Sequence, residues 1–283
     1  MMRIAVLGAG QMGSGIAQVC AAAGYPVVLR DLDPAALDRA RAVIAASLDR
    51  MLAKARITEA DKDATLARIA TVTTAAALAD ADLVIEAVTE NLEVKRAIFR
   101  ELSATCRPDA ILASNTSSIS LTRLAAAVEH PGRVIGMHFM NPVPMMQLVE
   151  VISARQTSPG TRDTVEALAR ALGKVPVDVK NSPGFIANRV LIPMINEAAF
   201  CLSEGLATAE EIDTVMKLGM GHPMGPLALA DLIGIDTVLA IMQVLLDGFN
   251  DSKYRPCPLL VEMVDAGHLG RKSGRGFFAY PGR

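Results

Sequence analysis

Cysteine is scarce in this chain. Its four cysteines among 283 residues, Cys20, Cys106, Cys201 and Cys257, stand far apart in mostly apolar company. With no C-x-x-C pair and no metal-ligand spacing, they argue against a disulfide framework or a zinc site and read as reduced core thiols. An excess of either charge is also missing, since 28 Lys and Arg against 30 Asp and Glu leave a formal charge of -2. Nothing here pulls the protein toward nucleic acid or an anionic membrane surface, so any anionic ligand must be held locally. No apolar run approaches membrane-spanning length, and the run in "MMRIAVLGAG" is cut off by glycine too soon for a signal peptide. The expectation is a cytoplasmic protein with no nucleic-acid and no membrane partner. Internal repeats are absent, and the alanine richness is explained by helix propensity.

What is present is enough apolar material for a substantial core, 51% of the residues, in a chain long enough for one large or two ordinary domains. The first 180 or so residues alternate short β-rich runs with longer helical patterns. The runs are "RIAVL" (3–7), "PVVLRD" (26–31), "DLVIEAV" (82–88), "AILASN" (110–115), "RVIGMHF" (133–139), "LVEVI" (148–152) and "VPVDV" (175–179). Such alternation predicts an α/β fold of the Rossmann type, a doubly wound, mainly parallel sheet with helices on both faces. Several runs are continuously apolar, as strands covered on both faces should be. From 183 to 270 the patterns are helical only, which predicts an all-helical C-terminal domain and a division into 1–182 and 183–283. Ser182 followed by Pro183 has the chemistry of a helix start, and Thr208 with Glu211 forms a capping box for the next helix. Helices this apolar need a partner surface, so the C-terminal domain is expected to build a homodimer.

"GAGQMGSGIA" follows the first strand pattern and opens a helical one, placing Gly8, Gly10 and Gly13 in G-x-G-x-x-G register around Gln11 and Met12. The first glycine permits the tight turn, the second lets backbone approach a pyrophosphate, and the third lets helix and strand pack closely. Asp31, at the end of the second strand pattern, is where an acid can accept both adenosine ribose hydroxyls and repel a 2′-phosphate. The combination predicts NAD as cofactor. Arg30 beside it is the one feature that would suit NADP, and Asp31 could instead merely initiate the turn at "LDP".

Ligands of open α/β sheets collect at the carboxyl ends of the strands, and there the chain sets Glu90 and Asn91, then "SNTSS" (114–118), then His138 and Asn141. A histidine at a strand end is more often structural than catalytic, but convergence of three polar strand ends favours catalysis. Oxidising an alcohol needs a base near neutral pKa beside a hydride acceptor, and a carboxylate on the far imidazole nitrogen would fix its tautomer. Glu150, flanked by Val149 and Val151, has little reason to occupy a buried strand unless it meets such a partner. Its bland alternative is an edge strand facing solvent.

"GAGQMGSGIA", "SNTSS", "GMHFMNPVPMMQLVEV", "NSPGFIANRVLIPMINEA", "GMGHPMGPLALAD" and "YRPCPLLVEMVDAGHLGRKSGRGFFAY" together resemble the 3-hydroxyacyl-CoA dehydrogenases, and most closely their bacterial short-chain 3-hydroxybutyryl-CoA branch. The resemblance spans nearly the whole chain. It implies a dimeric enzyme interconverting (S)-3-hydroxyacyl-CoA and 3-ketoacyl-CoA with NAD. His138 would be the general acid/base, Glu150 its orienting carboxylate, Ser117 a hydrogen-bond partner of the substrate oxygen, and Asn188 the residue positioning the acyl carbonyl. Glu90, Lys95, Asn115, Ser117 and Asn141 match positions contacting the nicotinamide half, and Lys272 matches one reaching in from the C-terminal end. Lys95 also reads as an ordinary solvated helix lysine. Arg50 and Lys54, four apart on the helix that begins near Pro34, match the region that grips the CoA phosphates, or else form a solvated face. A sugar-acid, gulonate-type dehydrogenase would keep His138 and Glu150, whereas a non-catalytic NAD-binding protein would need neither.

Overall fold

The computed structural model describes residues 1–280. The chain divides into two compact units, the first Met1–Asn181 and the second beginning at Ser182. The first unit runs β1 (Ile4–Leu7), α1 (Gln11–Ala22), β2 (Val27–Arg30), α2 (Pro34–Ala53), α3 (Glu59–Ala67), β3 (Ile69–Val72), β4 (Leu83–Glu86) and α4 (Leu92–Thr105). It continues with β5 (Ile111–Ser114), α5 (Leu121–Ala125), β6 (Val134–Phe139), β7 (Leu148–Ser153), α6 (Pro159–Ala171) and β8 (Val175–Lys180). The strands form one eight-stranded sheet in the order β3-β2-β1-β4-β5-β6-β7-β8. Every neighbouring pair is parallel except β6 and β7. The order reverses between β1 and β4, the crevice where doubly wound sheets take their ligands.

β1, β4 and β5 are buried along their whole lengths, as strands covered by helices on both faces must be. Ile4, Val6, Leu29, Ile85, Met137 and Val151 pack with Ile16, Ala17 and Leu37 of the helices into one continuous core. Side-chain caps begin several helices: Asp33 accepts from the Ala35 amide at α2, Thr58 and Asp61 form a capping box at α3, and Asn91 accepts from the Glu93 and Val94 amides at α4. The first turn of α1 has no side-chain cap.

The second unit contains α7 (Ala187–Ser203), α8 (Ala209–Gly219), α9 (Pro226–Ile233), α10 (Ile235–Phe249) and α11 (Pro258–Asp265). Ile192, Ile195, Ala230, Val238, Met242 and Leu260 are among its core residues. The expected capping box at Thr208 and Glu211 is present. The expected helix start at Ser182 and Pro183 is not. There the chain makes a turn in which the Phe185 amide donates to the Ser182 carbonyl at 3.0 Å, with Gly184 and Phe185 at φ +71° and +51°. Two successive left-handed residues cannot continue a right-handed helix, so α7 begins only at Ala187. β3 had no counterpart among the expected strands. It is a four-residue edge strand of which only Ile69 is buried, so it carries no apolar run to reveal it.

The four cysteines are free thiols, and burial pushes Cys20 up to about 12. No single helix among the described residues is long and apolar enough to cross a membrane.

Candidate active site

The glycine turn has the geometry its spacing implies. Gly8 lies at φ +101°, where a side chain would be strained and would also press on the Ala87 carbonyl at 2.7 Å. A Cβ at Gly13 would fall 1.8 Å from the Gly8 carbonyl oxygen, so helix and turn approach as only glycine permits. A Cβ at Gly10 would meet nothing within 4 Å. Open space therefore stands at the uncapped start of α1, where unpaired amides suit a pyrophosphate. Gln11 is exposed in that first turn and Met12 half-buried behind it.

One strand over, Asp31 Oδ2 accepts from the Ala9 amide at 2.7 Å and Oδ1 from the Asp33 amide at 3.0 Å. Asp31 thus makes its local turn and still faces the cavity, so the two readings of it coexist. That cavity measures about 560 Å³ and is lined by Gly8, Gly10, Asp31, Leu32, Val88 and Ile98 among others. Apolar walls for a base, an acid for a ribose and an open glycine turn for a pyrophosphate fit an NAD dinucleotide.

Beyond β4 and β5, polar side chains knit the strand ends together. Glu86, fully buried at the end of β4, accepts from Lys95 Nζ at 2.6 Å, Ser114 Oγ at 2.6 Å and the Val88 amide at 2.7 Å. Lys95 is itself buried and reaches Glu90 at 3.6 Å, so it is not a solvated helix lysine. Glu90 in turn gathers "SNTSS": one oxygen accepts from Thr116 Oγ1 and from the Ser117 and Ser118 amides. Asn115 Oδ1 accepts from the Phe139 amide at 2.9 Å, tying β5 to the end of β6. Gln11 Nε2 donates to Asn141 Oδ1 at 3.0 Å, closing a ring from the glycine turn to the segment after His138.

His138 and Glu150 face each other directly across the antiparallel β6–β7 pair. Residues directly opposite in such a pair share one face of the sheet. Their side chains meet with Nδ1 2.7 Å from Oε2, at 6% and 2% exposure. β7 lies between β6 and β8, so Glu150 is not an edge residue facing water. A buried carboxylate on Nδ1 holds the tautomer with its proton there, which makes Nε2 the basic nitrogen.

Arg50, in the last turn of α2, and Lys54, its C-cap, line a cavity of about 230 Å³ with Ser47, Arg56, Pro144 and Met145. Both are exposed, and with Arg56 they give this hollow a cationic rim. The 141–147 segment forming its other wall joins the strands of His138 and Glu150. Lys174 holds this segment from beneath, donating to the Val143 and Met146 carbonyls at 2.6 and 2.8 Å.

Asn188 and Lys272 belong to the second unit. Asn188 sits in the first turn of α7, its amide donating to the Gly184 carbonyl at 3.1 Å, and Lys272 Nζ pairs with Asp236 at 2.5 Å. Sequence reasoning passed over Glu86, Arg56 and Lys174. Glu86 carried a signal, a carboxylate inside the apolar run "DLVIEAV". Arg56 and Lys174 carried none, because each is one more cation after a helix. Among the described residues no group of acids, histidines and cysteines is placed to hold a metal ion.

Comparison with known proteins agrees with this geometry. The model of the 3-hydroxyacyl-CoA dehydrogenase NAD binding domain matches residues 3–182, and that of the same family's C-terminal domain matches 184–280. A probable 3-hydroxybutyryl-CoA dehydrogenase of Deinococcus radiodurans is 54% identical over 99% of this chain and 100% of its own. The 3-hydroxybutyryl-CoA dehydrogenase of Bradyrhizobium diazoefficiens is 54% identical over 99% of this chain and 96% of its own. The crystal structure of (S)-3-hydroxybutyryl-CoA dehydrogenase from Ralstonia eutropha superposes with a TM-score of 0.97 at 54% identity, covering 100% of both chains. A glycine turn and acid fitted to NAD, in a chain matched end to end by these relatives, lead to one conclusion: it belongs to the 3-hydroxyacyl-CoA dehydrogenase family of NAD-dependent oxidoreductases.

Proposed function

We propose that this enzyme interconverts a short-chain (S)-3-hydroxyacyl-CoA, 3-hydroxybutyryl-CoA being the best fit, and its 3-ketoacyl-CoA, with His138 as general acid/base. The observation that carries the reading is the 2.7 Å contact of His138 Nδ1 with the buried Glu150 carboxylate. NAD, when bound, supplies the two-electron acceptor for the carbinol carbon. In oxidation His138 Nε2 takes the proton of the 3-hydroxyl, and the Glu150 charge stabilises the imidazolium that forms. In reduction the same nitrogen returns the proton to the 3-oxygen. Ser117 hydrogen-bonds that oxygen, and Asn188 orients the thioester carbonyl. Glu90, Lys95, Asn115, Asn141 and Lys272 position the nicotinamide half. Glu86 acts through Lys95, holding its ammonium in place.

The cations Arg50, Lys54 and Arg56 support a CoA thioester over a free sugar acid, since only CoA brings several phosphate charges to such a cavity. We further propose a homodimer. α7 and α8 leave an almost wholly apolar groove lined by Met194, Cys201, Leu206, Ile212, Val215 and Met216. Leu206, Val215 and Leu218 are 75%, 61% and 82% exposed, apolar side chains that a partner surface would cover.

The direct test follows absorbance of the reduced nicotinamide while the protein is mixed with NADH and acetoacetyl-CoA, and then with free acetoacetate. Rapid loss with the thioester alone is expected. Equal rates with the free acid, or no loss with either, would contradict the proposal.

A further inference from the structure

The cavity fitted to the adenosine end of NAD contains a second acid beyond Asp31. One face of α4 lines it with Val94, Ile98 and Glu101, spaced four and three apart as neighbours on one helix face must be. Opposite stands Arg30, a cation next in sequence to the ribose-binding acid. By position alone it could serve a 2′-phosphate. Its guanidinium, however, is occupied: Nη2 lies 3.4 Å from Glu101 Oε1 and Nε lies 3.4 Å from the Thr73 carbonyl. The Arg30 side chain is 8% exposed and that of Glu101 41%, so the arginine is held inward while the carboxylate borders the open cavity.

We infer that Glu101 is a specificity-determining residue, a second carboxylate that neutralises Arg30 and thereby makes this site reject NADP. The inference rests on the NAD reading of this cavity. With Asp31 and Glu101 against Arg30 alone, the wall carries one net negative charge where a 2′-phosphate would add about two more. Were Glu101 uncharged, the wall would carry no net charge, Arg30 balancing Asp31 and released from its carboxylate partner. One carboxylate roughly 8 Å from a dianionic phosphate, in a water-like dielectric at low salt, changes affinity by about fivefold. Asp31 still repels the phosphate, so removing Glu101 narrows the preference for NADH without inverting it.

The test is the dissociation constants of NADH and NADPH, read from nicotinamide fluorescence, for wild type, Glu101→Gln and Arg30→Gln. At low salt Glu101→Gln is expected to narrow the NADPH-to-NADH ratio of constants by about fivefold, and Arg30→Gln to widen it. Because the effect is electrostatic, the wild-type ratio should also shrink as salt rises. An unchanged ratio in Glu101→Gln, or equal weakening of both cofactors, would overturn the inference while leaving the NAD site standing. Failure of the wild type to bind NADH would overturn the NAD reading and the inference with it.

Discussion

Two carboxylates are themselves buried within strands, Glu86 in β4 and Glu150 in β7, and each meets a nitrogen at hydrogen-bonding distance. A buried carboxylate is costly unless paired, which is why such a residue in an apolar run signals a partner that the sequence alone does not name. That reasoning identified Glu150 and, applied to "DLVIEAV", would have identified Glu86. It did not reach Lys95, whose surface-like helix position conceals a side chain drawn inward by Glu86. Replacing Glu150 with Gln should leave the imidazole in place but favour the wrong tautomer, lowering kcat by about 10³-fold or more. Steady-state kinetics showing kcat within threefold of wild type would remove Glu150 from the mechanism. Lys95→Met leaves Glu86 inside the sheet without its counter-ion, only the Ser114 hydroxyl and the Val88 amide remaining, and should cost about 3–5 kcal/mol of stability. In urea unfolding, adding Glu86→Gln should return part of that loss, and a purely additive double variant would show that the two do not interact.

Among the elements, the glycine turn was the most legible, because its three glycines answer three separate steric demands. Those demands separate stability from binding. Gly10→Ala puts its methyl into open space, so the variant should fold normally while binding NADH at least about tenfold more weakly. Gly13→Ala sets a methyl against the Gly8 carbonyl and should destabilise the fold by about 2 kcal/mol or more. Thermal unfolding and NADH titration of the pair would contradict this if both variants lost stability alike. β3 and the start of α7 were misread for opposite reasons: one shows too little apolar pattern, and the other shows helix-start chemistry spent on a left-handed turn.

The segment between β6 and β7 depends on Lys174, whose burial lowers its pKa from the ordinary 10.5. Lys174→Met leaves the Val143 and Met146 carbonyls without their donor, a loss of about 1–3 kcal/mol, and should raise KM for acyl-CoA more than it lowers kcat. A pH signature accompanies it. Between the lowered folded value and 10.5 the unfolded chain holds a proton on Lys174 that the native chain has released. Stability therefore rises with pH across that window in the wild type relative to the variant. A stability difference that stays flat or shrinks over the same range would contradict the assignment.

For the whole molecule, the change from alternating strand and helix to helix alone was visible as a change of hydrophobic period, and the family models divide at the same place. The apolar excess of α7 and α8 was visible as well, although which residues would face a partner was not. The proposed dimer predicts about twice the mass of one chain, 29.9 kDa, in light scattering. Val215→Asp with Leu218→Asp, three apart on α8, should shift it toward the monomer. An unaltered dimer would place the interface elsewhere.

The proposed role of His138 is to move the proton while other residues hold the nucleotide. It is tested most directly by replacing His138 with Gln and measuring two quantities on one preparation, the NADH dissociation constant and kcat for acetoacetyl-CoA. The dissociation constant is expected within about threefold of wild type and kcat lower by about 10²–10⁴-fold, the usual worth of a general acid/base. A kcat that survives the substitution would contradict it.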